Sequence, residues 1–395
     1  MIVNELAKDK CTGCYACSNI CPKNCITMKR DMEGFVYPMI DTKQCIECGL
    51  CGKTCPAINV VHNSENTKVP KVFAAWSLNE KIRVESTSGG VFSELALNAL
   101  KKNSYLCGAQ YGKDHHIEHC VVNTEEGLNK IRQSKYAQSD VGDNYKRVKE
   151  LLQDGQKVLF CGTPCECAGL INFLGRKYDN LTIVDFVCRG SNSPKVYEKF
   201  LKYLENKYQS KISRVWFKNK TYGWNRFSTK VEFENGQDYL EDRFNDIYIV
   251  GYIRYNLYMR PSCANCQYKE FPRVSDITLA DFWGVKLKDQ EKNIENGTSL
   301  VMINSAHGEE IFEEIKENLF YEEKTLKDTL EGNPSILTSP VMNPKREYFF
   351  KNLDRMEFDV LAKKCFREKT TWKTVIKKLI PRPVKKGLKK MLGRA

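Results

Sequence analysis

The sequence lacks three features that would each place it in a large class of proteins. It contains no apolar run near eighteen residues, so no transmembrane helix is expected. Its first residues, MIVNELAKDK, have no apolar signal-peptide core, which argues against secretion and favours the cytoplasm. It also has no Walker-type run and no G-x-G-x-x-G, so neither a nucleoside triphosphatase nor a separate Rossmann NAD domain is expected.

Acidic residues are absent from residues 371–395, which contain nine Lys or Arg. Subtracting these nine charges from the net charge of +13 leaves +4 for the other 370 residues, so the charge gives no reason to expect a nucleic-acid partner. Apolar residues recur at helical spacing in this tail, and Pro381 and Pro383 divide it. We predict a basic amphipathic segment that contacts the anionic inner face of the membrane peripherally, with a solvated basic end as the alternative.

Cysteine, by contrast, is abundant, with 18 residues in a chain of 395. A disulfide scaffold would be short and secreted. This chain is long enough for two or more domains, and its hydrophobic content of 42% is ordinary for a globular protein. The cysteines are therefore expected to be reduced thiols or metal ligands in a reducing compartment.

Two short runs, CTGCYACSNICP and CIECGLCGKTCP, share the spacing C-x2-C-x2-C-x3-C-P. In bacterial two-cluster ferredoxins the first three cysteines of such a run hold one cluster and the fourth holds the other. The predicted ligands are therefore Cys11, Cys14, Cys17 and Cys55 for one 4Fe-4S cluster, and Cys45, Cys48, Cys51 and Cys21 for a second. Zinc is the alternative, but zinc ribbons use two separated pairs. Cys25 lies outside the pattern and is predicted to be a small buried hydrophobe.

The remainder of the chain alternates apolar strands with helices. The strand-like segments KVFAAWS, KVLF and LTIVDFV each precede a helical pattern, which is typical of an α/β layer with a mostly parallel sheet. Later, SRVWFKN, RFSTKVEFEN and DITLADFWG have the pattern of antiparallel or edge strands. The expected fold class is mixed α/β (α+β) behind a ferredoxin domain. The predicted boundaries are 1–60 for that domain, 61–70 for a linker, 71–330 for the body, 331–370 for an extension and 371–395 for the tail.

The cysteines of the body recur where ligands gather in α/β proteins. Cys161 and Cys165 follow one predicted strand and Cys188 follows another, and the carboxyl ends of strands are the usual ligand-binding edge. Cys263 and Cys266 form a further C-x2-C pair, so a third metal site is expected, with zinc as an alternative for that pair. The competing interpretation concerns four cysteines of the body, most of which would be ordinary buried thiols: Cys107, Cys120, Cys161 and Cys167.

Five blocks occur in a fixed order: ESTSGGVFSELALNAL, SKYAQSD, VLFCGTPCECAGL, VDFVCRG and CANCQYKEFPRVSDITLADFWG. With them the chain resembles the family of beta subunits of coenzyme F-420 hydrogenases and dehydrogenases, from about residue 5 to 320, with an N-terminal 4Fe-4S dicluster ferredoxin domain. The resemblance implies that a third 4Fe-4S cluster is held by Cys165, Cys188, Cys263 and Cys266. Because Cys161 and Cys167 crowd Cys165, and Glu166 stands where many relatives have glutamine, the choice among these three cysteines stays open.

The resemblance also implies that the body, residues 71–330, binds FAD near that cluster. Paired glycines that open a helix let backbone amides approach phosphate, and a lysine beside a tyrosine can bind an anion and a ring. The implied FAD contacts are Ser88, Gly89, Gly90, Ser134, Lys135, Tyr136, Gly162, Thr163, Pro164, Asp281, Phe282, Trp283 and Gly284.

For two shorter patterns the expected role is structural. HHIEHC, with His115, His116 and His119, has the pattern of a hairpin tip with surface histidines, although such a cluster can bind metal. YIRYNLYMR is predicted to be an amphipathic helix over the third cluster rather than a nucleic-acid surface.

The predicted function is that of an iron–sulfur flavoprotein oxidoreductase. It would pass electrons between an external one-electron carrier such as ferredoxin and an organic substrate that the sequence does not name. The resemblance adds a hint of surface-polysaccharide biosynthesis, while nothing in the chain demands the deazaflavin coenzyme. The alternatives are an electron-transfer adaptor that feeds a partner enzyme, and a non-enzymatic assembly protein in which clusters only stabilise the fold.

Overall fold

The protein is described by a computed structural model over residues 3–61, 66–289 and 291–366. Its strands are β1 (Ile26–Arg30), β2 (Val36–Ile40), β3 (Lys71–Ser77), β4 (Tyr105–Tyr111), β5 (Ile117–Val122), β6 (Val158–Gly162), β7 (Leu181–Phe186), β8 (Ile212–Asn219), β9 (Ser228–Phe233), β10 (Asp238–Asp242), β11 (Ile277–Asp281), β12 (Ser299–Ile303) and β13 (Leu319–Lys324). Its α-helices are α1 (Ala16–Ile20), α2 (Leu50–Thr54), α3 (Glu80–Glu85), α4 (Val91–Lys101), α5 (Glu125–Ile131), α6 (Asn144–Gln153), α7 (Pro164–Leu174), α8 (Pro194–Tyr208), α9 (Ile247–Ile253), α10 (Ala306–Glu313), α11 (Leu326–Leu330), α12 (Arg346–Asn352) and α13 (Phe358–Phe366). Short 3-10 helices lie at Val3–Glu5, Lys113–His115, Pro261–Asn265, Lys316–Asn318 and Pro334–Ile336.

Eight strands form one mixed sheet in the order β13-β3-β12-β11-β7-β6-β4-β5. The central strands β11, β7, β6 and β4 run parallel to their neighbours within that group, and the flanking strands pair antiparallel. The predicted mixed α/β class is confirmed. The expectation of an antiparallel or edge strand for DITLADFWG is confirmed in its antiparallel form, because β11 pairs antiparallel with the fully buried β12; β11 is not an edge strand, since β7 lies on its other side.

The central strands are buried on both faces, as a covered parallel sheet requires. In β6, Phe160 packs on the side of α6 and α7, while its neighbour Leu159 packs on the side of α4 and α5. Two helical layers therefore cover the sheet. The carboxyl ends of β6 and β7 open toward the loops that contain Cys165 and Cys188.

A second, antiparallel sheet of order β10-β9-β8 packs with α8, α9, α12 and α13 around a separate apolar core. Phe349 and Leu361 of the predicted extension are fully buried in this core. The helix expected for YIRYNLYMR is wrong, because α9 ends at Ile253. Asn256 then adopts a left-handed φ of 48°, and the chain continues irregularly to Arg260.

The repeated cysteine runs build the same backbone twice. Gly13 and Glu47 occupy matching positions with φ of 68° and 51°, and Tyr15 and Gly49 match with φ of 65° and 71°. Left-handed values at these positions curl each loop so that its three cysteines point inward. The N-terminal unit then packs through Tyr15 and Ala16 against the layer that contains α6 and α7.

No helix in the described ranges is long and apolar enough to cross a membrane.

The predicted linker includes Asn66, whose buried side chain donates to the backbone oxygens of Arg273 (2.7 Å) and Ser275 (2.9 Å). The predicted tail at 371–395 lies outside the described residues.

Candidate functional site

The first cysteine set consists of Cys11, Cys14, Cys17 and Cys55, all of which are buried. Burial, with a smaller contribution from the adjacent Cys55 and Cys11, raises the pKa of the Cys14 thiol to about 12. Burial likewise raises the pKa of Cys17, with the other three members of the set among its neighbours. Thiols that are this crowded and desolvated become thiolates when a cation binds them, so the donor set fits an iron–sulfur cluster.

The second cysteine set consists of Cys21, Cys45, Cys48 and Cys51, which line one small cavity. Cys25 lies on the same wall, and its sulfur is 3.4 Å from that of Cys21. Cys25 is buried in an apolar cluster with Val3 and Ile26, as predicted, and it also contacts the Cys21 thiol. Cys48 is exposed to solvent.

The third cysteine set consists of Cys165, Cys188, Cys263 and Cys266, which surround a cavity of about 290 Å³. Within the described ranges, no three Cys, His, Asp or Glu side chains converge closely enough to hold a single metal ion. A tetrahedral zinc site would place its sulfurs about 4 Å apart, given Zn–S bonds near 2.3 Å. This wider arrangement fits a multinuclear cluster better than it fits zinc.

The geometry distinguishes among the three cysteines at the end of β6. Cys165 lies on the cavity wall. Cys167 is fully buried and its sulfur faces the backbone oxygens of Gly162 (3.6 Å) and Val184 (3.8 Å). Cys161 packs with the apolar core on the α4 side of the sheet. Cys165 is therefore the member of this block that is placed to join the third set.

Positive charge surrounds the third set. Four thiolates bring more negative charge than an iron–sulfur core offsets, so basic residues stabilise such a site. The amide of Ser191 donates to the Cys263 sulfur (3.4 Å), and Lys269 Nζ donates to the Cys188 carbonyl oxygen. Burial raises the pKa of the Cys188 thiol to about 12, so an unbound thiolate is disfavoured there. The cavity wall includes Lys10, Arg189, Arg260, Lys269 and Arg273, with Asp9 as its one acid.

The first and third sets are in close contact through α7. A methyl group added at Gly169 of this helix would make a tight contact of 3.0 Å with the Cys14 sulfur, so glycine lets the helix approach the sulfur without displacing it. Tyr268 lies between the two sets, with its hydroxyl donating to the Pro56 carbonyl oxygen (3.2 Å). Burial and then the Cys165 and Cys14 thiols raise the pKa of Tyr268, which therefore stays protonated.

Several of the implied FAD residues meet around the carboxylate of Asp281. Ser88 Oγ (2.6 Å) and Trp224 Nε1 (2.7 Å) donate to Oδ1, and Lys218 Nζ (2.5 Å) donates to Oδ2. Burial raises the pKa of Asp281, but the Lys218 charge and these hydrogen bonds outweigh burial and hold the pKa below its ordinary value. Sequence reasoning missed Lys218 and Trp224, because their segment joins Asp281 only across the two sheets.

Aromatic rings and cations lie beside that carboxylate. Trp283 stacks on Trp224 at 4.8 Å, and Lys218 Nζ and the Arg243 guanidinium lie 4.5 and 4.9 Å from its ring centroid. Throughout the described ranges, the Arg243 guanidinium has no hydrogen-bond acceptor. We call Trp283, Trp224, Lys218, Asp281 and Arg243 the aromatic–cationic site.

Two tyrosines connect this site to the third set. Tyr136 packs against Tyr252 at a centroid distance of 5.6 Å, and the Tyr252 hydroxyl donates to the Gly190 carbonyl oxygen (3.1 Å) on the cavity wall. Arg189, on the same wall, has a buried Nε that finds no hydrogen-bond partner among the described residues. The carboxyl edge of the sheet thus joins the aromatic–cationic site and the third set.

Other implied FAD residues are engaged by the protein itself. The Gly89 amide donates to Ser299 Oγ (2.9 Å), and a methyl group at Gly89 would collide with the Ala75 carbonyl oxygen. Lys135 Nζ donates to three backbone oxygens at the end of α5, those of Lys130 (3.0 Å), Arg132 (2.7 Å) and Gln133 (3.3 Å). These groups serve the fold, so a phosphate would need other donors.

The remaining members of the implied set are placed as follows. Ser134 N donates to Thr87 Oγ1 (3.0 Å), beside Ser88. Thr163 caps α7 together with Glu166, and Gly162 packs against Glu166. Gly90 starts α4 with a φ of 83°, Pro164 lies on the cavity wall, Phe282 is buried and Gly284 is exposed with a φ of 72°.

The expected surface position of the histidines is wrong for one of them. His115 and His116 lie at the β4–β5 hairpin tip, as predicted. His119 is only 5% exposed and stacks on Phe160. It sits on β5 where that strand is covered by α6, so burial lowers its pKa and keeps it neutral.

Comparison with known proteins agrees with this picture. Residues 155–329 match the family described as the C terminus of the coenzyme F420 hydrogenase/dehydrogenase beta subunit, and residues 10–59 match the 4Fe-4S dicluster domain. The F subunit of F(420)H(2) dehydrogenase from Methanosarcina mazei is 24% identical over 174 residues, which cover 42% of this chain and 49% of that protein. The I 2 subunit of NADH-quinone oxidoreductase from Geobacter metallireducens is 42% identical over 55 residues, which cover 13% of this chain and 42% of that protein.

An uncharacterized ferredoxin of Methanocaldococcus jannaschii is 35% identical over 49 residues, which cover 12% of this chain and 62% of that protein. The chain thus spans less than two thirds of the length of each of these curated relatives. A chain of the F420-reducing NiFe hydrogenase complex from Methanosarcina barkeri is 18% identical, with a TM-score of 0.44 over 77% of this chain and 94% of that chain. Residues 155–329 of the chain thus form a region of the coenzyme F420 hydrogenase/dehydrogenase beta-subunit family, with a 4Fe-4S dicluster domain in front of it.

Proposed function

We propose that the protein is an iron–sulfur flavoprotein oxidoreductase that passes electrons between a one-electron carrier of ferredoxin type and an organic substrate. One observation supports this most directly. The third cysteine set lies beside the first set on one side, through α7 and Tyr268, and on the other side Tyr252 and Tyr136 lead from its cavity wall toward Asp281 and Arg243 of the aromatic–cationic site. Electron transfer over a distance requires a series of neighbouring sites that can hold redox-active groups.

The three cysteine sets would each hold a 4Fe-4S cluster, which supplies one-electron transfer when bound. The chain positions and protects these sets. Gly169 brings α7 against Cys14, and the burial of Cys14 and Tyr268 limits water in the region between the first and third sets. Lys269 and the Ser191 amide stabilise negative charge on the third set.

The aromatic–cationic site would hold the reactive end of FAD, which exchanges two electrons with an organic molecule and one at a time with a cluster when bound. Arg243 is a cation without an acceptor in the described part of the chain, so it can bind a flavin carbonyl or a phosphate. Trp283 adds an aromatic ring to the site, with Trp224 stacked on it and the Lys218 and Arg243 cations near its ring. The network of Ser88, Lys218 and Asp281 fixes the floor of the site.

The second set is the expected docking site for the external carrier, because its Cys48 is exposed. Two large apolar side chains that line the same cavity, Ile46 and Leu50, are exposed as well. Ile46 is 57% exposed although it directly follows Cys45. Such a patch beside a solvent-accessible ligand suits a transient protein partner.

The second candidate is an adaptor that hands its electrons to a partner enzyme. It is favoured by the relatives, two of which are named as subunits, of an F(420)H(2) dehydrogenase and of an NADH-quinone oxidoreductase. A stable complex formed with a second protein, together with flavin reduction that no added small molecule can reoxidise, would support the adaptor. Roles in polysaccharide biosynthesis and at the membrane stay predictions.

Iron and flavin analysis of anaerobically purified protein tests the proposal. We expect about twelve irons per chain from three cubanes, and FAD released on denaturation. Cys263→Ala should remove about four irons, and Cys167→Ala, which alters a thiol off the cavity wall, should remove none. About eight irons in the wild type, unchanged in Cys263→Ala, would refute the third cluster.

A further inference from the structure

Arg260 is a buried cation without an acidic partner. Its side chain is 1% exposed, and no carboxylate pairs with it in the described ranges. Its donors instead reach neutral oxygens: Nε donates to the Cys11 carbonyl (2.7 Å), Nη2 to the Val36 carbonyl (2.9 Å) and Nη1 to Gln138 Oε1 (2.8 Å). Burial of an uncompensated charge is costly, so a negative charge that belongs beside it is expected.

The nearest group that can become negative is a cysteine of the first set. Arg260 Nη2 also donates to the Cys11 sulfur, at 3.5 Å. The loop is shaped around this guanidinium, since a methyl group at Gly13 would lie 2.8 Å from Nη1. Gln138, which binds Nη1, also donates to the backbone oxygens of Thr12 (3.1 Å) and Gly13 (3.3 Å).

Arg260 also lies close to the third set. It lies on the wall of the 290 Å³ cavity, and its carbonyl oxygen accepts the Cys263 amide hydrogen (3.0 Å). One residue of the body therefore contacts the first set through its side chain and fixes the third set through its backbone.

We propose that Arg260 is the counter-charge of the cluster held by the first set and that it raises the reduction potential of that cluster. The inference deepens the proposed function and rests on the ligand assignment of the first set. Reduction adds one negative charge to a cluster, and a desolvated cation beside a ligand sulfur stabilises the reduced form over the oxidised form. Electrons that arrive at the exposed second set are thereby drawn to the first set, which is the one in contact with the third.

The test is a reductive titration of the anaerobic full-length protein, followed by the electron paramagnetic resonance of each cluster. Cys11→Ser assigns the signal of the first set. In Arg260→Gln we expect the equilibrium constant for reduction of that cluster to fall at least tenfold, which is equivalent to a reduction potential lower by about 59 mV for a one-electron couple. In Arg260→Lys, which keeps the charge, this constant should change less than tenfold. Arg254→Gln, which neutralises an exposed arginine, should leave it unchanged.

Iron content separates tuning from assembly. A fully iron-loaded Arg260→Gln protein with an unchanged potential would overturn the proposal. If Arg260→Gln loses iron, Arg260→Lys decides: full iron with less than a tenfold shift supports the counter-charge, whereas iron loss or a tenfold shift in that variant overturns it. A wild-type protein without any 4Fe-4S signal would instead refute the proposed function. A protein that lacks flavin would still allow the reduction potential of the first cluster to be measured.

Discussion

Replacing Asp281 by asparagine removes the charge at the centre of the aromatic–cationic site while preserving its size. The carboxylate accepts hydrogen bonds from Ser88, Trp224 and Lys218, and an amide has only one oxygen for these three donors. Lys218 then loses its counter-ion, and its side chain is only 5% exposed. We therefore expect Asp281→Asn to destabilise the protein strongly.

The magnitude follows from the burial of the pair. Both side chains are well under a third exposed, at 5% and 13%, so solvent screens the interaction little. Breaking a buried ion pair by removing one partner costs about 3–5 kcal/mol. Because burial already lowers the pKa of Lys218, the lysine can shed its proton, and we expect the lower end, about 3 kcal/mol.

Anaerobic urea unfolding of Asp281→Asn and of the double variant Lys218→Met/Asp281→Leu measures this directly. The double variant removes both charges and should recover most of the lost stability. Neither variant should retain FAD, because the recovered stability does not restore the polar floor of the flavin site. A single variant within about 1 kcal/mol of the wild type would refute the ion-pair argument. Full flavin content in the double variant would refute the assignment of the site.

Four further outcomes are expected. Cys188→Ser should slow flavin reduction in stopped-flow spectra more than it slows reduction of the dicluster domain, and equal rates in both proteins would mean that electrons bypass the third set. Ile46→Glu should slow reduction by ferredoxin but not by dithionite, whereas Val69→Glu, at an exposed apolar residue beyond the dicluster domain, should slow neither. Because the folded pKa of Asp281 lies below its ordinary value near 4, its stabilisation is present above that pH and is lost as the pH falls further, and Asp281→Asn should lack this acid-side loss. A chain that ends at Lys369 should no longer sediment with anionic vesicles at low salt, and undiminished binding would exclude the tail as an anchor.

The sequence alone was sufficient where the chemistry is local. Each cysteine run supplies three ligands within seven residues, and the crossing of the fourth ligand follows from the spacing, so the first two sets could be assigned without coordinates. The central strands were also predictable, because a strand buried on both faces, such as β6, has a continuous apolar run. The interior place of β11 was not, since its partner β12 pairs with it from eighteen residues further along the chain.

The tertiary structure decided which side chains act together. Cys161, Cys165 and Cys167 are equivalent in sequence, and only the direction of each side chain at the end of β6 and the start of α7 places Cys165 on the cavity wall. Arg260 looked like one of several basic residues in an aromatic stretch. Its role depends on reaching Cys11, 249 positions away, across an interface that a periodic pattern does not encode. Local spacing fixes which atoms can bind iron, whereas packing between distant segments fixes the charge and the solvent exclusion around those atoms.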